Sequence, residues 1–161
     1  AMDDIVPTRR QVMQQGAGLT LFALLAAAGW LKPSSAFAEA WNKSAFDTRS
    51  MDETVKALHG STPAASKDVT FVATTDIAEN GAVVPVSIVS ALPKTESIAI
   101  LIEKNPNMLA AVFDIPAGTD AAVTTRVKMA QTSNVYALVK ADGKYYVASK
   151  EIKVTLGGCG G

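Results

Sequence analysis

The sequence predicts an all-β fold, two antiparallel sheets packed face to face, with a short helical segment before them and a glycine-rich arm after them. Three observations carry this. From Lys67 onward apolar residues recur with a period of two. Turn residues interrupt that period at regular spacing, leaving seven or so strands with no helical stretch between them. The 161 residues hold a single cysteine, so no internal disulfide framework is available and the core must come from packed strands. Together these point to a sandwich of immunoglobulin type.

The elements follow in order. Residues 39–60 form the helical segment. Ser50-Met51-Asp52-Glu53 is a capping box, with the Ser50 hydroxyl placed to accept the Glu53 amide and the Glu53 carboxylate placed to reach back. Met51, Val55 and Leu58 follow at helical spacing, and Gly60 is placed to stop the helix. Trp41 and Phe46 predict a helical turn or two before it. The sandwich spans residues 61–156. Val69 to Ala73 reads as a strand. Glu79-Asn80-Gly81 is a turn, with Gly81 suited to positive φ. Ala82 to Leu92 is a long β-rich run in which Pro85 marks an edge or a bulge. After the turn at Pro93 to Glu96, Ile98, Ile100 and Ile102 share one face and Ala99 and Leu101 the other, so both faces should be covered. Asn105-Pro106-Asn107 turns again. Met108 to Ile115, Ala121 to Ala130 and Asn134 to Lys140 are further strands. Asp142-Gly143 is a two-residue hairpin signal before Tyr145-Tyr146-Val147. Ile152, Val154 and Leu156 alternate in the last strand, from which the arm springs.

Two ends of the sequence stand apart from this domain. Residues 1–38 read as an export signal. Arg9-Arg10 precede an apolar stretch from Gly16 to Leu31, too short for a spanning helix, and Ala36-Phe37-Ala38 fits a small-x-small cleavage site after Ala38. The adjacent arginines and modest hydrophobicity point to the twin-arginine route and hence to the periplasm. That route carries folded proteins, which either contain a cofactor or travel with a folded partner. Removing the signal takes away three of fifteen Lys+Arg and two of fifteen Asp+Glu, leaving twelve against thirteen, a charge of −1. No electrostatic case remains for nucleic acid or an anionic membrane.

The other end is residues 157–161, Gly157-Gly158-Cys159-Gly160-Gly161. The lone cysteine has two glycines on each side. A glycine-rich segment has no side chains with which to bury itself, so this reads as a thiol on a thin, mobile arm. Thiols react as thiolates, and nothing near Cys159 in sequence lowers its pKa. Cys159 is therefore a poor catalyst and a good attachment site, with activation supplied by a partner's active site. An exposed odd cysteine also permits a disulfide-linked homodimer through Cys159, and a bare frayed tail is the third reading.

Other chemistry is sparse. His59 is the one histidine and makes neither a metal site nor a catalytic pair with a distant cysteine. Asp76, Glu79, Asp114 and Asp120 sit in turns, where carboxylates are solvated or bond locally. No glycine-rich phosphate loop is present. Tyr136, Tyr145 and Tyr146 gather in one hairpin, as core or interface residues. No cofactor site is found, so a folded partner is the option the export signal favours.

Three segments resemble a known family. Lys153-Val154-Thr155-Leu156-Gly157-Gly158-Cys159-Gly160-Gly161, Ile77-Ala78-Glu79-Asn80-Gly81-Ala82-Val83-Val84-Pro85-Val86 and the twin-arginine leader are similar to SoxY proteins, sulfur carriers of the bacterial thiosulfate-oxidising Sox system. The resemblance spans essentially the whole chain. It implies an immunoglobulin-like sandwich, no enzymatic activity of its own, and a heterodimer with a SoxZ-like subunit that lacks its own export signal. It implies that Cys159 carries sulfur intermediates, with Gly157, Gly158, Gly160 and Gly161 giving reach. The implied partners are a SoxAX-type cytochrome that joins thiosulfate to the thiol, a SoxB-type di-manganese hydrolase that releases sulfate, and a sulfane dehydrogenase where present.

Overall fold

A computed structural model describes residues 42–157. The leader expected over 1–38, Trp41, Gly158, Cys159, Gly160 and Gly161 lie outside the described residues.

Among the described residues two short helices come first. Helix α1 spans Lys43–Phe46, with the Asn42 side chain accepting from the Ala45 amide at 3.2 Å. Helix α2 spans Met51–Ala57, and Ser50 Oγ accepts from the Glu53 amide at 3.3 Å, as the capping box predicts. The Glu53 carboxylate reaches back to the Arg49 amide at 3.0 Å. The end of α2 differs from expectation. His59, not Gly60, takes the left-handed φ of 58°. The His59 amide donates to Lys56 O at 2.9 Å and the Gly60 amide to Val55 O at 2.8 Å, a Schellman end with histidine at the left-handed position. Gly60 is needed for a different reason: a Cβ there would lie 2.7 Å from the Tyr145 ring.

Nine strands follow: β1 (Ala64–Ala65), β2 (Val69–Phe71), β3 (Ile77–Ala78), β4 (Val84–Ser90), β5 (Thr95–Ile102), β6 (Leu109–Asp114), β7 (Ala122–Val127), β8 (Ser133–Ala141) and β9 (Lys144–Val154). The larger sheet has the order β1-β9-β8-β5-β6, with β3 also paired to β9; the smaller is β2-β4-β7. Pairing is antiparallel except that β1 and β3 both run parallel to β9. The chain thus lines the edge of the larger sheet, crosses to the smaller one as β2, and returns as β3. The stretches expected as separate strands around Tyr145 and Ile152 are one strand of eleven residues. Pro85 fits its expected place. It pairs with Arg126 of β7 on one side, while β2 pairs only with Ile88 to Ser90, so β4 is locally an edge where its amide is missing.

The alternation within β5 decides the layering. Ile98, Ile100 and Ile102 are fully buried between the sheets with Val84, Val86, Ile88, Val135, Val139 and Ile152. Ala99 and Leu101 point the other way, into a second core with Ala45, Val55, Leu138 and Tyr145. The larger sheet is therefore a middle layer, covered by the smaller sheet on one face and by the helices on the other. Each fully buried isoleucine contributes about 1.5–3 kcal/mol relative to exposure. The Tyr145 hydroxyl donates to Leu58 O at 2.9 Å and pins the end of α2 to this sheet. Burial holds the Tyr145 phenol above its ordinary pKa.

The β8–β9 hairpin turns on Asp142 (φ 48°) and Gly143 (φ 74°), the two positive angles of a type I′ turn. A one-residue bulge in β5 places Glu96 opposite this turn. Its carboxylate accepts from the Gly143 amide at 3.1 Å and pairs with Lys140 at 2.9 Å. The Lys140 hydrogen bond, with the Gly143 amide helping, holds the Glu96 carboxyl below its usual range. Gly81, expected at positive φ, does not have it; among the described residues the positive-φ glycines are Gly118 and Gly143. The Glu79–Gly81 turn is made instead by Asn80, whose Oδ1 accepts from the Ala82 amide at 2.9 Å.

Two predictions follow from this packing. Tyr145→Phe should cost about 1 kcal/mol in urea unfolding by orphaning the Leu58 carbonyl. Gly60→Ala should cost more, because the ring must move. A Gly60→Ala variant as stable as the parent would show that α2 is not held through this contact. Secondly, the lowered Glu96 pKa adds stability above the unfolded-state pKa, and this is lost as pH falls through the folded value. Lys140→Met should return Glu96 toward its ordinary pKa in an NMR titration and flatten stability over that acid window. An unmoved Glu96 resonance would assign the shift to the Gly143 amide alone.

Candidate functional site: the root of the Cys159 arm

The residues leading to Cys159 are held by bonds from two other parts of the chain. Ile77 and Ala78 of β3 pair with Lys153 and Val154 of β9. The Lys153 amide donates to Asp76 O at 2.9 Å and the Thr155 amide to Ala78 O at 3.0 Å. Thr155 Oγ1 donates to Glu79 O at 3.1 Å, and the Gly81 amide donates to Leu156 O at 2.8 Å. On the other side, Thr132 Oγ1 accepts from the Val154 amide at 2.9 Å. Every residue from Lys153 to Leu156 is thus tied through its main chain to segment 76–81 or to Thr132.

That clamp is itself braced. The Met129 amide donates to Gly81 O at 2.7 Å. Asn105 bridges the segment that follows β7, donating to Lys128 O at 2.7 Å and accepting from the Ala130 amide at 3.0 Å. Gly157 lies against this braced segment: a Cβ built on it would sit 2.6 Å from Ala130 O. Gly157, predicted as the first residue of the arm, is therefore also a place where the chain passes too close to a carbonyl for any side chain. The sequence signal for this contact is absent, because Ala130 and Gly157 are 27 positions apart and neither belongs to a motif. Gly158, Cys159, Gly160 and Gly161 lie outside the described residues.

Two of the three segments singled out by resemblance, 77–86 and 153–161, meet here: the first holds the root of the second. Of the other residues weighed in the sequence, Asp76 and Glu79 lend main-chain carbonyls to this clamp, and most of the rest are elsewhere. His59 is exposed beside Leu58, whose carbonyl receives the Tyr145 hydroxyl at the start of β9. At about 3.3 Å per residue, the start of β9 is some 30 Å from its end. Glu96 and Lys140, with their shifted pKa values, are at that same far end. Of the three tyrosines, Tyr145 and Tyr136 belong to the core under the helices and Tyr146 to the core between the sheets. Asp76 pairs with Lys150 at 2.9 Å. Among the described residues no three of His, Cys, Asp and Glu are grouped to hold a metal, and no helix is long and apolar enough to cross a membrane.

Comparison with known proteins places this geometry. The family model described as "Sulfur oxidation protein SoxY" matches residues 55–159, a span that reaches Cys159. The solved structure of the sulfur carrier protein SoxY from Chlorobium limicola f thiosulfatophilum is 36% identical over 65% of this chain and 96% of its own, with a TM-score of 0.59. A chain from the structural work on T cell specificity and activation by the bacterial superantigen toxic shock syndrome toxin-1 aligns at 14% identity, over 53% of this chain and 97% of its own, with a TM-score of 0.40. No curated protein matches. With the family model covering well over half of the sequence, up to the cysteine beyond the clamped root, the chain belongs to the SoxY family of sulfur oxidation proteins.

Proposed function

We propose that this chain is a sulfur carrier, not an enzyme, that holds thiosulfate-derived groups covalently on Cys159 and presents them to periplasmic sulfur-oxidising enzymes. The observation that carries the reading is the clamped root. Hydrogen bonds hold the chain as far as Leu156, and Cys159 follows Gly157 by two residues. The histidine and the shifted titratable pair lie at the opposite end of β9. A thiol so placed gains its reactivity from whatever active site receives it.

The chemistry that suits such a thiol is oxidative coupling. The Cys159 thiol loses its proton, its sulfur bonds to the outer sulfur of thiosulfate, and two electrons pass to a SoxAX-type cytochrome. Water then cleaves the bond to the sulfonate in a SoxB-type di-manganese hydrolase, releasing sulfate and leaving a persulfide on Cys159. A sulfane dehydrogenase would oxidise that outer sulfur. Gly157, Gly158, Gly160 and Gly161 have no side chains to obstruct a narrow cleft. The twin-arginine leader and the absence of a cofactor motif in the sequence support export in the folded state with a SoxZ-like subunit.

Cys159→Ser should abolish thiosulfate-dependent turnover in the reconstituted system and leave the thermal midpoint unchanged; full activity would overturn the carrier reading. Intact mass spectrometry without reductant, on protein from the native periplasm during growth on thiosulfate, should show reductant-labile sulfur or thiosulfonate adducts on the Cys159 peptide. A dimer mass alone would favour a disulfide-linked homodimer through Cys159. The glycines should divide by role. Gly157→Ala should cost about 1 kcal/mol of stability, because its Cβ meets the Ala130 carbonyl. Gly158→Val with Gly160→Val should slow delivery and cost little stability. Equal stability losses from both changes would show that the arm beyond Gly157 is packed as tightly as its root.

A further inference from the structure

One residue breaks the apolar period of β9. On the face that looks into the space between the sheets, Tyr146, Ala148, Ile152 and Val154 all pack with that core. Lys150 falls on the same alternation and puts a cation at an apolar position. Its side chain is only 24% exposed, so the ammonium needs partners at the rim of the sandwich. It has two. Lys150 Nζ donates to Thr74 O at 2.7 Å and pairs with Asp76 Oδ1 at 2.9 Å.

Both partners lie on the crossover from the smaller sheet to the larger one. β1 pairs with β9 as far as Val147 and β3 starts opposite Lys153, so no strand covers the β9 edge between them. Ala73 enters the crossover at a φ of 47°, a left-handed angle that is unfavourable for any residue with a Cβ. Thr74 is fixed from the other side by the smaller sheet, its Oγ1 accepting from the Ser87 amide at 3.0 Å. The Lys150 bond to the Thr74 carbonyl therefore completes a tie between the two sheets. Asp76 carries the tie onward, because its carbonyl accepts from the Lys153 amide, the first bond of the clamp that ends at Leu156. The Asp76 carboxylate is 87% exposed, so the ion pair adds little and the Thr74 carbonyl bond dominates.

We infer that Lys150 is a positioning residue for the carrier: its ammonium staples the 74–76 crossover to β9 and so fixes where the Cys159 arm begins. This rests on the carrier reading of Cys159. A root that opens and closes spreads the thiol over more positions, and an enzyme then meets it less often in the productive one. The effect falls on capture and not on chemistry at the sulfur, because Lys150 bonds within its own sandwich and touches no reacting atom.

The test uses the full chain paired with its SoxZ-like subunit and carrying Lys150→Met, which keeps an apolar stem and removes the donors. Amide hydrogen exchange at Lys153 and Thr155 should quicken about tenfold or more, while amides of the hairpin around Asp142 keep parental rates. Loading of Cys159 from thiosulfate by the SoxAX-type cytochrome, read by intact mass, should show KM raised about threefold or more with kcat nearly unchanged. Lys150→Arg, which still donates, should restore both readouts. Asp76→Asn, which leaves the Thr74 carbonyl bonded, should match the parent in both. If Lys150→Met does not fold, Lys150→Gln, whose side chain is shorter, should move both readouts in the same sense. Parental exchange at Lys153 and Thr155 without the ammonium would overturn the staple, as would exchange that quickens equally at the hairpin. Quickened exchange with a parental KM would overturn the positioning role and leave the carrier reading standing. Failure of the parent to take any adduct would overturn the carrier reading, with exchange at Lys153 and Thr155 still deciding the staple.

Discussion

The pairing of Ile77 and Ala78 with Lys153 and Val154 is the constraint on which the functional end of this molecule depends. It is a short parallel pairing, two residues on each side, and alone would be weak. It holds because both partners are already committed elsewhere. β9 is bound along its length to β8, from Ser133↔Ile152 to Ala141↔Lys144. The 77–81 segment is bonded onward through Gly81 to Met129 and, by the chain itself, to β4. The strand pair therefore joins two bodies that cannot separate without breaking sheet structure, and the last held residue, Leu156, inherits that stiffness.

The stiffness originates in the layering of the larger sheet. A sheet covered on one face can flex toward solvent; this one is covered on both. Isoleucines of β5 fill the space between the sheets while Ala99, Leu101 and Leu138 pack under the helices. A bend in β8 or β9 would open a gap in one core and crowd the other, each costing a few kcal/mol in a close-packed interior. Because β9 runs from the hairpin beside Glu96 to the edge of Gly157, the interactions that anchor its start also hold the root of the arm at its end.

A carrier needs a body that is stiff and a carried atom that can be reached. Stiffness lowers the entropy lost when a partner docks, since the root is already in place. Access comes from absent side chains. Gly157 shows that the two demands meet at one residue, where the chain must pass the Ala130 carbonyl with no Cβ and then continue toward Cys159. In the proposed carrier, activation is left to the partner, a division that keeps a thiol quiet until it is enclosed.

Local sequence signals were enough to place α2 and most of the strands, though not β1 or β3. The capping box from Ser50 to Glu53 placed α2, Asp142-Gly143 placed the hairpin, the two-residue period gave β5 two buried faces, and an isolated cysteine among glycines marked the proposed attachment site. These signals act within a few residues, where backbone sterics and side-chain spacing decide. Contacts between distant segments were decided only by the tertiary structure. His59 takes the left-handed position, while Gly60 is required under the Tyr145 ring, 85 positions away in the chain. Gly81 is not a positive-φ turn residue but a main-chain link between Leu156 and Met129. Gly157 faces Ala130, and β3 finds the end of β9, because two sheets sharing one core bring these backbones within bonding distance, and no pattern along either segment encodes which carbonyl lies opposite.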